Sequence, residues 1–171
     1  MTTLFENICT YNKSNLIAMT RKTRSRSFYA YYLVFIPLFS AFGLAALFFK
    51  ERGYFYSVIM FTGSMFLGYA YYSKPKKLAN SEYNRNIKLF GREVECNTIF
   101  HEDFFQSRNV QSKAEIKLLY DQIIRIKETK NLILIILPEN MFIPLDKNRF
   151  GNRTAEDFME FIRSKCSSLK K

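Results

Sequence analysis

Histidine occurs once in this chain, at position 101, and tryptophan not at all. A single imidazole excludes a histidine-built metal site and a paired-histidine acid–base centre. Cys9, Cys96 and Cys166 stand far apart, without the Cys-x-x-Cys spacing of a zinc knuckle or a dithiol redox motif. Six glycines are too few and too scattered for a phosphate-cradling loop. No cofactor and no metal is expected. The most consequential scarcity is of charge. Phe28 to Phe49, 22 residues, and Tyr54 to Tyr72, 19 residues, contain no Asp, Glu, Lys or Arg.

About 20 apolar residues, each rising ~1.5 Å along a helix, cross a ~30 Å hydrocarbon layer. The two runs therefore predict a two-helix transmembrane hairpin, turning at Lys50-Glu51-Arg52-Gly53. A signal peptide is the competing reading of the first run and fits it poorly, given the length of that run, the 27 residues before it and the second run after it. With no ionisable group in either run, a proton relay or an ion path is not expected. Ala41 with Ala45 and Ser64 with Gly68 form small-xxx-small pairs, the candidate helix–helix packing positions.

The formal charge of +11 suggests nucleic acid until its distribution is read. Arg21, Lys22, Arg24 and Arg26 precede the first run, and Lys74, Lys76 and Lys77 follow the second. Lys and Arg accumulate where membrane ends stay in the cytoplasm. Both termini are expected there, and no nucleic acid is expected as partner. Eight of the 11 tyrosines lie at the ends of the two runs, where an amphipathic ring suits the headgroup layer.

Residues 1–27 read as a cytoplasmic basic segment with a short interfacial helix from Ser14, residues 28–73 as the hairpin (28–49 and 54–72), and residues 74–91 as a helical juxtamembrane linker ended by Gly91. From residue 92 the period becomes two. Val94, Cys96, Thr98 and Phe100 alternate with polar residues; Phe104 to Val110, Ala114 to Leu118, Ile124 to Ile126, Leu132 to Leu137 and Met141 to Leu145 follow as short strands. The unbroken run Leu132–Leu137 predicts a strand buried on both faces. Thr154-Ala155-Glu156-Asp157 opens a helix whose apolar face is Phe158, Phe161, Ile162 and Cys166. The expected fold is an α+β membrane protein. A two-helix transmembrane hairpin is followed, over residues 92–171, by a pleckstrin-homology-like antiparallel β meander capped by a C-terminal helix.

Three stretches carry a family resemblance: Tyr120 to Glu128, Phe142-Ile143-Pro144, and Phe150 with the terminal amphipathic helix. With the hairpin before them, they make the chain similar to the YcxB-like family of bacterial membrane proteins. Leu145-Asp146 departs from the basic residue that commonly follows the family's proline. The resemblance implies a pleckstrin-homology-like cytoplasmic domain at a bacterial plasma membrane and no established enzymatic activity.

Candidate chemistry is thin. His101 sits in the polar turn His101-Glu102-Asp103, without the convergent partners a catalytic centre needs. Asp146-x-Asn148-x-Phe150-Gly151 echoes a calcium loop, but Phe150 stands at a ligand position and Lys147, Arg149 and Arg153 would repel the ion. Arg125, Lys127 and Lys130, with Lys147, Arg149 and Arg153, form two basic groups that would make one contact surface if folding brings them together. The expected function is a non-enzymatic, membrane-anchored interaction domain. Beyond the lipid bilayer, its expected partner is another protein at the inner membrane face, with weak contact to anionic lipid. Homo-oligomerisation is left open. The rival expectation is an accessory subunit of a larger transport or envelope complex that binds through its spans.

Overall fold

The computed structural model describes residues 2–24, 26–49, 52–151 and 153–166, the side chains of Arg26 and Asn140 excepted. The tip residues Lys50 and Glu51 and the last five residues of the chain lie outside these. The chain divides into two units, Arg24–Leu78 and the remainder, Met1–Thr23 with Ala79–Lys171.

The Arg24–Leu78 unit holds helix α2 (Arg26–Ala46) and the first part of helix α3 (Gly53–Phe90), which runs 38 residues through Pro75. Among the described residues, Ser27–Ala46 is the one helix long and apolar enough to cross a membrane. The second expected span, residues 54–72, is helical but does not qualify on composition. Tyr54, Tyr56, Tyr69, Tyr71 and Tyr72, with interspersed Ser, Thr and Gly, dilute its apolar character.

The two helices meet along a seam of small residues. Ser40 and Ser64 share a hydrogen bond of 2.9 Å, and the Ser57 hydroxyl donates to the Gly43 carbonyl at 2.8 Å. A Cβ added to Gly63 would lie 3.1 Å from the Phe39 ring, and one added to Gly43 would lie 3.3 Å from Met60 Cβ. Of the four expected packing positions, only Ser64 lies in this seam. Ala41 and Ala45 are exposed, because the face that meets α3 carries Ser40, Gly43 and Ala46 instead. A Cβ added to Gly68 would meet nothing within 4 Å.

The other unit is built on two antiparallel sheets. Strands β1 (Phe5–Thr10), β2 (Glu95–Phe100), β3 (Phe104–Asn109) and β4 (Glu115–Leu119) form the first, and β5 (Arg125–Glu128), β6 (Leu132–Ile136) and β7 (Phe142–Asp146) the second. The alternation expected of β2 is present, with Val94, Cys96, Thr98 and Phe100 all buried. Gly91 ends α3 with φ +70°, a conformation an L side chain resists.

The N-terminal segment, read as basic and helical, also supplies a strand. β1 pairs residue for residue with β2, from Phe5 against Phe100 to Thr10 against Glu95. Helix α1 (Lys13–Thr23) follows it.

β6 is buried on both faces, as its apolar run requires. Ile133 and Ile135 enter a core with Phe5, Phe100, Phe105 and the helix α4 (Ala155–Lys165) residues Phe158 and Ile162. Leu132 and Leu134 enter a second core with Cys9, Leu16, Met19 and Ala79. Both cores draw on residues N-terminal to α2. Helix α4 starts in a reciprocal cap: the Thr154 hydroxyl accepts from the Asp157 amide at 3.1 Å, and the Asp157 carboxylate accepts from the Thr154 amide at 3.0 Å. Hydrogen bonding from the Thr154 amide, and then from the Thr154 hydroxyl, holds the Asp157 carboxyl below its ordinary range.

Candidate functional site

A cleft of about 380 Å³ opens between the two sheets where the chain leaves β1, enters β2 and turns from β3 to β4. Its sheet walls follow from the period-two alternation. Cys96 on β2, Ser107 on β3 and Ile116 on β4 face Leu137, just past β6, and Phe142 and Ile143 on β7. Its inner wall is polar. Cys96 Sγ and Ser107 Oγ lie 2.9 Å apart, and Ser107 Oγ and Thr98 Oγ1 lie 3.1 Å apart. Burial, then the nearby Cys96 and Cys9 thiols, pushes the Tyr11 phenol up. Burial, then Asp146 and Cys96, pushes the Cys9 thiol up to about 12, against the opposing pull of Arg149. The thiolate is the reactive form of cysteine, so a thiol held protonated at neutral pH is not a nucleophile.

The six expected basic residues do not converge on one free surface. The Lys147 ammonium pairs with the Glu128 carboxylate at 2.7 Å. Lys127 donates to the Lys22 carbonyl at 2.9 Å, at the end of α1. Arg149 donates to the Thr10 hydroxyl at 3.0 Å, and the Arg153 guanidinium stands 4.6 Å from the centre of the Phe5 ring. Four of the six therefore contact residues 5–22 or Glu128 on β5. Arg125 and Lys130 are exposed on β5 and in the turn after it.

His101 is half-buried in the β2–β3 turn. Its Nδ1 lies 3.3 Å from the Thr2 carbonyl, its ring packs on Phe104 at 4.6 Å, and its own carbonyl accepts from the Tyr120 hydroxyl at 2.6 Å. That placement makes it a brace of the turn. In the loop that echoes a calcium site, the Asp146 carboxylate accepts from the Asn148 amide at 3.0 Å, which closes a turn.

Asn7 was not foreseen. It is 1% exposed on β1 and ties that strand to the second sheet. The alternation of Phe5, Asn7 and Cys9 with Glu6, Ile8 and Thr10 is the signal that would have found its strand.

These features define a class: a helix-capped, two-sheet domain with an apolar helical unit inserted in its first hairpin. Residues 100–162, from the end of β2 through most of α4, match the family model described as YcxB-like protein. No curated protein and no solved structure matches the chain.

Proposed function

We propose that this chain is a non-enzymatic interaction module anchored in the bacterial plasma membrane by a two-span hairpin. Both termini are cytoplasmic, and a pleckstrin-homology-like domain holds a protein partner at the inner face. One observation carries the anchoring reading. Thr10 and Glu95, which lead into and out of the inserted helices, are partners in one six-residue ladder. If Ser27–Ala46 crosses the bilayer, a second crossing must return the chain before β2 can pair with β1. Helix α3, about 57 Å long at ~1.5 Å per residue, supplies it. Its tyrosines then fall at the interfaces rather than counting against the span.

The four-plus-three strand arrangement with a terminal helix supports the pleckstrin-homology-like reading. The engagement of Lys147, Arg149 and Arg153 within the domain supports a protein partner over a phosphate-gripping lipid site. Contact with anionic lipid is then weak and screened by salt. The buried, protonated Cys9 thiol and the braced His101 support the absence of catalysis.

A second reading has its own observation. A groove of about 760 Å³ between α2 and α3, lined by Tyr32, Ile36, Pro37, Gly68 and Tyr71, would accept a helix of a larger membrane complex. Replacing residues 27–72 by an unrelated hairpin separates the two, since the first reading keeps its partner and the second loses it.

Topology is tested with introduced cysteines, because the three native ones are buried. In intact cells Phe49→Cys should react with a membrane-impermeant maleimide, whereas Thr3→Cys and Arg92→Cys should react only after permeabilisation. Labelling of Arg92→Cys in intact cells sinks the orientation.

A further inference from the structure

β4 is the outer strand of the first sheet, and β3 is its only ladder partner among the described residues. The Asn109 amide donates to the Ala114 carbonyl at 2.8 Å, so residues 114, 116 and 118 turn their amides and carbonyls towards β3. Residues 115, 117 and 119 turn theirs away. The Leu119 amide is taken by the Gln122 side chain at 3.0 Å. Among the described residues, nothing hydrogen-bonds to the amides or carbonyls of Glu115 and Lys117 on that edge. Open edges of this kind are usually blunted by charge of one sign, by proline or by a cover. This one carries one acid and one base two residues apart, and no proline.

We infer that β4 pairs antiparallel with β4 of a second copy, with Ile116 on the two-fold axis. The charge order selects the partner and the register. Hydrogen-bonded pairs must join outward-facing residues, and the register centred on Ile116 joins Glu115 to Lys117 of the second copy, and the converse. Four backbone hydrogen bonds form, and both opposite-charge pairs lie on the outer face. A register centred on Lys117 would set Lys117 against its own copy, and like charges directly opposite repel. On the inner face Ile116, 40% exposed at the rim of the inter-sheet cleft, meets its own copy in a non-hydrogen-bonded pair, the closer of the two spacings. The two four-stranded sheets become one of eight strands. The inference does not rest on the membrane reading, since β4 belongs to the sheet unit.

The test uses the full chain in detergent micelles, read by sedimentation equilibrium with matched solvent density. The wild type should dimerise reversibly. Glu115→Lys and Lys117→Glu should each raise the dimer dissociation constant by about tenfold, because each turns two attractions into two repulsions. The double variant restores opposite charges in the same register and should return to near wild type. Circular dichroism melts of each variant check that the monomer keeps its fold, since Arg108 lies opposite Glu115 on β3. Independently, Ile116→Cys should form an intermolecular disulfide under mild oxidation, two thiols passing two electrons and two protons to dioxygen. A non-hydrogen-bonded pair, ~4.5 Å between Cα atoms, falls within disulfide reach. Glu156→Cys, exposed on α4, should not. A monomeric wild type, single variants that dimerise like it, a double variant no better than the singles, or no cross-link at residue 116 would each overturn the inference.

Discussion

Asn7 and Asp146, 139 residues apart in sequence, exchange two hydrogen bonds. The Asn7 amide nitrogen donates to the Asp146 carbonyl at 2.7 Å, and its oxygen accepts from the Asp146 amide at 2.9 Å. The same nitrogen also donates to the Arg149 carbonyl at 3.0 Å. A side-chain amide thus completes backbone pairing between β1 and β7, where no ladder joins the two sheets.

Asn7→Ala removes three hydrogen bonds and leaves partly buried backbone groups unpaired. The expected cost is about 3 kcal/mol. For a chain of this size that lowers the melting temperature by roughly 6–12 °C. Thermal unfolding of the full chain followed by circular dichroism measures it. An unchanged melting temperature would show that the clamp contributes nothing.

The sheet unit needs its N-terminal residues. Phe5 and Leu16 sit in its two cores, so a fragment starting at Leu78 should fail to fold cooperatively. Excising Arg24–Leu78 and joining Thr23 to Ala79 by a flexible linker of roughly ten residues should give a soluble, cooperatively melting domain. A well-folded fragment without β1 would contradict the assignment.

Stability should fall at alkaline pH. Burial raises the Cys9 thiol from its ordinary 9.0 to about 12 and the Cys166 thiol to about 11. The folded state thus holds these protons to higher pH than the unfolded chain does. That contribution is complete below pH 9 and is lost as pH rises towards 11 to 12. Denaturant midpoints measured from pH 7 to 11 should be flat at first and then decline. Maleimide should label neither thiol in the native state at pH 7. Rapid native labelling of Cys9 would be incompatible with its burial.

The helical seam separates glycine from alanine. Gly63→Leu forces a branched side chain towards Phe39, already 3.1 Å from a bare Cβ, and should destabilise the α2–α3 pair. Ala41→Leu and Ala45→Leu point away from the seam and should be tolerated. Ser64→Ala should cost about 0.6 kcal/mol, the usual worth of one hydrogen bond between spans. Pulse proteolysis of the full chain in detergent compares them. Equal loss from Ala41→Leu and Gly63→Leu would place the seam elsewhere.

Local pattern alone determined a good deal. The period-two runs from Val94 onward gave β2, β3 and the later strands. The apolar run Leu132–Leu137 announced a strand buried on both faces, because only that burial tolerates six consecutive apolar residues. Thr154 and Asp157 marked the start of α4, since a helix terminus leaves amides that only such side chains satisfy at short range. The uncharged run before Ala46 marked the apolar helix.

Tertiary structure decided the rest, and the reason is distance along the chain. β1 finds its partner β2 only after some 85 residues, and its short alternation from Phe5 to Thr10 is too weak to be told from a polar tail. Small residues repeat on several faces of α2, so spacing could not say that Gly43 rather than Ala41 meets α3; the facing side chains chose. Whether the two basic groups would join could not be read locally, because the sequence records charge and not partners. Folding set Lys147 against Glu128 and Arg149 against Thr10, and so turned a candidate binding surface into part of the frame.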